Sequence, residues 1–151
     1  MVYLQAVVRD DSPAAACLRL AENQFIELFV SRQILDELGD VFSRSEIQRR
    51  FSKLTNERIT AFSETLRVSS TIIKEVPRRF IYERDVGDEP YINLAIEVRA
   101  DYLVSRDRDL LDLVSWNRQA GRDFQKRYRW LKILNPTDFL ELLERQLPRS
   151  I

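Results

Sequence analysis

The sequence predicts an α/β domain in which a central parallel sheet of four to five strands carries helices on both faces. Two observations lead there. Short, mostly apolar runs alternate along the chain with longer stretches whose apolar residues recur every three or four positions. No repeat, low-complexity tract or linker interrupts that alternation, so residues 1–151 read as one domain, long enough to bury a real core.

Taken in order, Val2 to Val8 is β-branched and apolar enough to read as a strand by propensity. Ser12-Pro13 then opens a helix as N-cap and first residue, with Ala14, Cys17, Leu18 and Ala21 as its buried stripe. Phe25 to Val30 is a strand, and Ser31 caps a helix whose core positions are Ile34, Leu35, Leu38, Val41 and Phe42. Residues 45–69 are helical, first from Ser45 to near Phe51 and then from the Thr55 cap through Ile59, Phe62 and Leu66. Ser70 to Val76 is a strand stopped by Pro77.

A loop from Arg78 to Gly87 leads to Asp88-Glu89-Pro90, which reads as a helix start with Asp88 as N-cap and Pro90 in the first turn. Tyr91, Ile92, Ala95, Ile96 and Val98 continue that helix, and Asp101 to Ser105 is a short buried strand. Asp107 and Asp109 follow in a polar turn, Asp109 being the better placed to cap the short helix that starts at Leu110-Leu111 and fades near Trp116. Asn117 to Arg129 reads as a polar loop, Trp130 to Leu134 as the last strand, and Asn135-Pro136 as the cap of a final helix running to Leu147.

Composition narrows the chemistry. Lys plus Arg equals Asp plus Glu at 24 each, so net charge argues for no particular partner. The single cysteine, Cys17, forms no internal disulfide, suits a reducing compartment and reads as buried and inert. No run approaches the ~18 apolar residues of a membrane span, and no basic region precedes a long apolar one at the start, so the expected location is cytoplasmic. The absence of histidine is the sharpest fact. It removes Ser-His-Asp and Cys-His catalysis and histidine general bases, leaving carboxylates, lysine, tyrosine or an oxygen-held metal.

In a parallel α/β sheet, a helix that precedes a strand starts at the edge where that strand ends. Asp88 and Asp107 should therefore meet at one sheet edge. Glu37, about a turn and a half past Ser31, can lean back toward the same edge, whereas Asp36 points roughly 100° away around the helix. Each acid has a bland explanation: a cap for Asp88, a turn for Asp107, a solvated helix face for Glu37. Their convergence favours a site. Crowded carboxylates repel and are stabilised by a divalent ion; oxygen-only ligation suits Mg²⁺ or Mn²⁺ and disfavours zinc. The loops around Arg78–Arg84 and Arg118–Trp130 could track a phosphate backbone with bases on Phe80, Tyr82, Tyr128 or Trp130. The simpler reading, which we favour for any single residue, is that these aromatics anchor solvated loops to the core.

These motifs together resemble the PIN-domain ribonucleases, in particular the toxin-like subgroup related to VapC. Asp88-Glu89-Pro90-Tyr91-Ile92-Asn93-Leu94-Ala95 is similar to that subgroup's third-acid helix, Asp101 to Leu111 to its Asp-Tyr-Leu-Val-Thr-x-Asp-x-Asp-Leu-Leu segment, and Ser31 to Leu38 to its second-acid helix. The resemblance runs on through Asn135-Pro136-Thr137-Asp138-Phe139-Leu140. It implies a three-layer α/β/α fold and a metal-dependent endoribonuclease with Glu37, Asp88 and Asp107 as catalytic, metal-ligating acids and Asp109 as a further acid of the metal site, supporting or capping. It further implies Mg²⁺ or Mn²⁺ as cofactor, RNA as substrate, a small antitoxin protein as partner, and homodimerisation.

One departure stands out. The family opens with a buried central strand ending in Asp-Thr-Asn, whose Asp is the first metal ligand. Here Met1 stands where its Asn would be, so strand and acid are absent, and the family would place Val2 to Val8 in the first helix rather than a strand. A start assigned too far downstream is the favoured explanation; a degenerate gene, or Val2 to Val8 filling the strand's place, are the others. Asp10 and Asp11 lie in a loop and are poor substitutes for the acid. Two functional alternatives stay open beside the nuclease: a non-cleaving module that binds RNA or an antitoxin, and a Mg²⁺-binding doubly wound phosphoacceptor or ligand-binding domain.

Overall fold

The computed structural model describes residues 2–115 and 117–146. Its helices are α1 (Val2–Val8), α2 (Pro13–Glu22), α3 (Arg32–Ser43), α4 (Ser45–Arg50), α5 (Asn56–Ser69), α6 (Glu89–Glu97), the single turn α7 (Arg108–Leu111), α8 (Gln119–Arg127) and α9 (Pro136–Gln146). Its strands are β1 (Leu28–Ser31), β2 (Ser70–Ile73), β3 (Tyr102–Val104) and β4 (Lys132–Leu134). Helices and short parallel strands alternate, as the patterning predicts. Several starts follow their caps: Ser12 Oγ, Ser31 Oγ and Thr55 Oγ1 each accept from the backbone N–H three residues on, at 3.1, 3.1 and 3.2 Å.

The continuous sheet is not formed. β1 pairs with β2 from Leu28↔Ser70 to Ser31↔Ile73, and β3 pairs with β4 from Tyr102↔Lys132 to Val104↔Leu134. Both ladders are parallel, but among the described residues they remain two separate two-stranded sheets. The hydrophobic core divides along the same line. One cluster gathers around β1 and α3, with Val30, Ile34, Phe42 and Leu66 at its centre. A second gathers around β4, α8 and the segment after α7, with Leu113, Phe124 and Ile133, and a small third packs Ala6 of α1 with Ala14 and Ala15 of α2. Helix α6 joins the halves: it packs on both β1 and β3, giving Leu94 to the first cluster and Ile92, Ala95 and Ile96 to the second.

Three local expectations are corrected. Val2 to Val8 is a helix, not a strand; α1 packs on α2 and α5, burying Ala6 and Val7, and that tertiary packing overrides β propensity. The presumed polar loop from Asn117 to Arg129 contains α8, whose Gly121 and Phe124 face inward. Gly121 is required there, because a Cβ would lie 2.1 Å from the Ser115 carbonyl oxygen. The strands are also shorter than their apolar runs: Phe25 is exposed and β1 begins only at Leu28. Trp116 and Leu147, named above as helix limits, lie outside the described residues.

Both basic-aromatic segments are anchored to the core. Tyr82 and Tyr128 are buried, and Phe80 makes edge contacts with Phe124 and Tyr128 at 5.2 and 6.1 Å between ring centres. Asn93 of α6 clamps the loop: its Oδ1 accepts from Arg79 N–H (2.9 Å) and Phe80 N–H (2.8 Å), while its Nδ2 donates to the Phe80 carbonyl (2.9 Å). Arg78 meets the buried Glu89 carboxylate at 2.6 Å, Arg79 pairs with Glu97, and Arg84 pairs with Asp109 and Asp112. These arginines serve the fold first.

Candidate metal centre

The acids converge where β1 and β3 end. Ser31 closes β1 and caps α3, which sets Glu37 half-buried in the second turn, while Asp36 beside it is exposed. β3 leads through Ser105 to Asp107. The Ser105 hydroxyl accepts from Asp107 N–H at 3.0 Å, and Asp107 Oδ1 accepts from Asp109 N–H at 2.8 Å. A turn of 3-10 helix from Val86 to Asp88 brings Asp85 and Asp88 to the same place, with Asp85 Oδ1 accepting from Gly87 N–H at 2.9 Å.

Carboxylate oxygens of Asp85, Asp88 and Asp107 lie within 4.8 Å of one another. Asp88 and Asp107, nineteen residues apart in sequence, therefore meet as the α/β edge argument requires. Glu37 lines the same cavity, as do all three aspartates. Its charge reaches Asp88 and Tyr91, although its carboxylate is outside the close trio.

Asp88 carries the clearest sign of an unfilled role. It occupies the N-cap position of α6, yet its side chain makes no capping hydrogen bond. Its Oδ2 is buried with no hydrogen-bond partner. Burial, then the charges of Asp107, Asp85, Asp109 and Glu37, push its carboxyl up to about 7. Burial likewise pushes Glu37 upward, against an opposing pull from Arg44. The capping explanation for Asp88 is thus overturned: α6 already starts with Pro90 in its first turn and Asp88 in αR geometry, leaving the carboxylate free to turn into the cavity.

Capping after β3 is reversed as well. Asp107, not Asp109, caps α7. The Asp109 carboxylate is held by Arg84, and its backbone carbonyl accepts from the Tyr82 hydroxyl at 2.7 Å. Asp109 therefore stands beside the trio with its charge largely answered.

Asp85 is the acid that sequence reasoning missed. It lies in the loop before α6 with no periodicity to place it, and only the 3-10 turn shows that it doubles back beside Asp88. The spacing Asp85-x-x-Asp88 is itself one turn of such a helix and was the available signal.

A divalent cation fits this set. It would satisfy the orphaned Asp88 oxygen, offset the repulsion that raises Asp88, and find the hard oxygen donors that Mg²⁺ and Mn²⁺ prefer. No helix among the described residues is long and apolar enough to cross a membrane. Neither the curated proteins nor the solved structures contain a match to this chain. A family model described as PIN domain matches residues 1–109, which include Glu37, the aspartate trio and both cavity-facing strands. With that span matched and the acids gathered at the strand ends, the chain belongs to the PIN-domain family.

Proposed function

We propose that this protein is a Mg²⁺- or Mn²⁺-dependent endoribonuclease of the VapC-like toxin type, hydrolysing RNA phosphodiester bonds. The observation that carries the reading is the buried, partnerless Asp88 oxygen among like charges inside a PIN domain. Glu37, Asp88 and Asp107 are the acids we assign to metal and catalysis, with Asp85 added from the geometry and Asp109 in a supporting place under Arg84. When bound, the divalent ion supplies activated water and charge withdrawal from the phosphodiester.

The protein's own part is positional. Ser105 and the α7 cap hold Asp107, the 3-10 turn holds Asp85 and Asp88 together, and α3 brings Glu37 to the rim. Asp88 must shed its proton before it can ligate, so metal loading strengthens as pH rises through about 7. A cytoplasmic location, an antitoxin partner and homodimerisation belong to the same proposal.

The test is cleavage of a labelled single-stranded RNA with Mn²⁺ and with chelator. Glu37→Gln and Asp88→Asn should each lower the rate by at least about 100-fold. Undiminished cleavage in both variants would overturn the assignment. The division of the sheet beside the acids favours a second reading, a module that binds RNA or a protein partner without cutting. Metal-independent RNA binding with no cleavage would decide for it.

A further inference from the structure

The charges of Asp107, Asp85, Asp109 and Glu37 all press on Asp88. Asp107, Asp85 and Glu37 line the cavity with it, whereas Asp109 stands outside its wall. Its carboxylate is also outside the close trio, although a single residue separates it from Asp107. The backbone of Asp109 is fixed on both sides. Its N–H donates to Asp107 Oδ1 at 2.8 Å, and its carbonyl accepts from the Tyr82 hydroxyl at 2.7 Å. Tyr82 is buried and its own N–H donates to Glu89 at 2.8 Å, so this anchor runs back to α6. With the backbone pinned, the side chain meets Arg84, whose Nη2 pairs with Asp109 Oδ1 and whose Nη1 lies 3.2 Å from Asp112 Oδ2. Arg118 stands 3.8 Å from the same Asp112 oxygen, so Arg84 does not answer two acids alone. The Arg84–Asp109 pair is sheltered, with side chains 38% and 29% exposed, where a charge-assisted contact is screened less than at open surface.

We propose that Arg84 is a positioning residue that withholds Asp109 from the metal. The proposal rests on the assignment of Asp85, Asp88 and Asp107 as a metal centre. An arginine in this place can act in two ways, and they predict opposite results. A guanidinium that only ties two segments together would, on removal, loosen the acids and weaken metal binding. One that withholds an acid would, on removal, free a hard oxygen donor and a negative charge beside the trio, and so strengthen metal binding.

The contacts favour withholding, because the trio is already tied without Arg84. Ser105 and the α7 cap hold Asp107, and the 3-10 turn holds Asp85 beside Asp88. Glu89 and Asn93 hold the loop that leads to that turn. What Arg84 alone decides is where the Asp109 carboxylate goes. The consequence is an open site. A divalent ion that prefers oxygen ligands fills with water the positions that carboxylates leave. With Asp109 kept aside, this chain leaves room for the water and the phosphate oxygen that hydrolysis requires. Arg84 also sits next to Asp85 in the chain, so one short segment carries both an acid of the trio and the cation that keeps a further acid out of it.

The test is equilibrium Mn²⁺ binding at pH 8 in a double-mutant cycle over Arg84 and Asp109. Arg84→Met keeps the stem and removes the guanidinium; Arg84→Gln repeats the change with a polar side chain that solvent tolerates. Each should bind Mn²⁺ at least about tenfold more tightly than the parent chain. In the Asp109→Asn background the same substitutions should change the affinity by less than about threefold, since the acid to be freed is gone. Water proton relaxation should show fewer exchangeable waters on Mn²⁺ bound to Arg84→Met than on Mn²⁺ bound to the parent. Weaker or unchanged binding in the folded Arg84 variants, a gain that survives Asp109→Asn, or an equal water count would overturn the role of Arg84 and leave the metal centre standing. No saturable binding in the parent would overturn both.

Discussion

Asp88 concentrates the physics of the site in one residue. Its folded-state carboxyl sits near 7, against about 4 for an unstructured aspartate. The folded, metal-free protein therefore holds a proton there that the unfolded chain releases. The stability from this group is fully present below about pH 4 and is lost as pH rises to about 7. Thermal unfolding in chelator should give a lower midpoint at pH 8 than at pH 5, and Asp88→Asn should flatten that difference while raising the midpoint at pH 8. An equal pH slope in the two proteins would contradict the crowding argument. Asp88 was legible in the sequence as an acid at a helix start, but capping was an adequate reason for it. Only the absence of a capping bond, and the partnerless oxygen, separate the two readings.

At the scale of elements, caps and amphipathic stripes were legible because they are local. Ser12, Ser31 and Thr55 cap the helices expected of them. α1 and α8 were not, because each is decided by what it packs against: α1 by α2 and α5, α8 by the segment from Asp112 to Val114. The clamp by Asn93 is equally non-local, and it carries a prediction. Asn93→Ala would leave Arg79 N–H, Phe80 N–H and the Phe80 carbonyl without their partner, at a cost of about 2–4 kcal/mol in denaturant unfolding. A loss under about 0.5 kcal/mol would show that water replaces the clamp freely. Gly121→Ala should cost about 1–3 kcal/mol, since the Ser115 carbonyl must move to admit a methyl group. Unfolding midpoints at unchanged denaturant slope would measure it.

For the whole molecule, alternation of helix and strand was enough to place Glu37, Asp88 and Asp107 at one end of the strands, because a parallel fold sends strand ends to a common edge. It was not enough to show how the strands join. The four strands after residue 24 are present, yet they divide into pairs around a cavity, and no local pattern encodes such a gap. The acid trio spans that division: Asp107 follows β3, and Asp85 and Asp88 lead into α6, the helix that bridges both halves. A cation bound there ties loops from separate segments, so saturating Mn²⁺ should raise the unfolding midpoint of the whole protein in a single transition. Chelator should reverse the gain.

The most direct measurement is equilibrium Mn²⁺ binding at pH 8, by calorimetry or by the paramagnetic signal of free ion, on the parent chain and on Asp88→Asn. Saturable binding in the parent that weakens by at least about tenfold in Asp88→Asn is the expected result. The same affinity in both proteins, or no saturable binding in the parent, would contradict the assignment of the Asp85, Asp88 and Asp107 carboxylates as a metal centre.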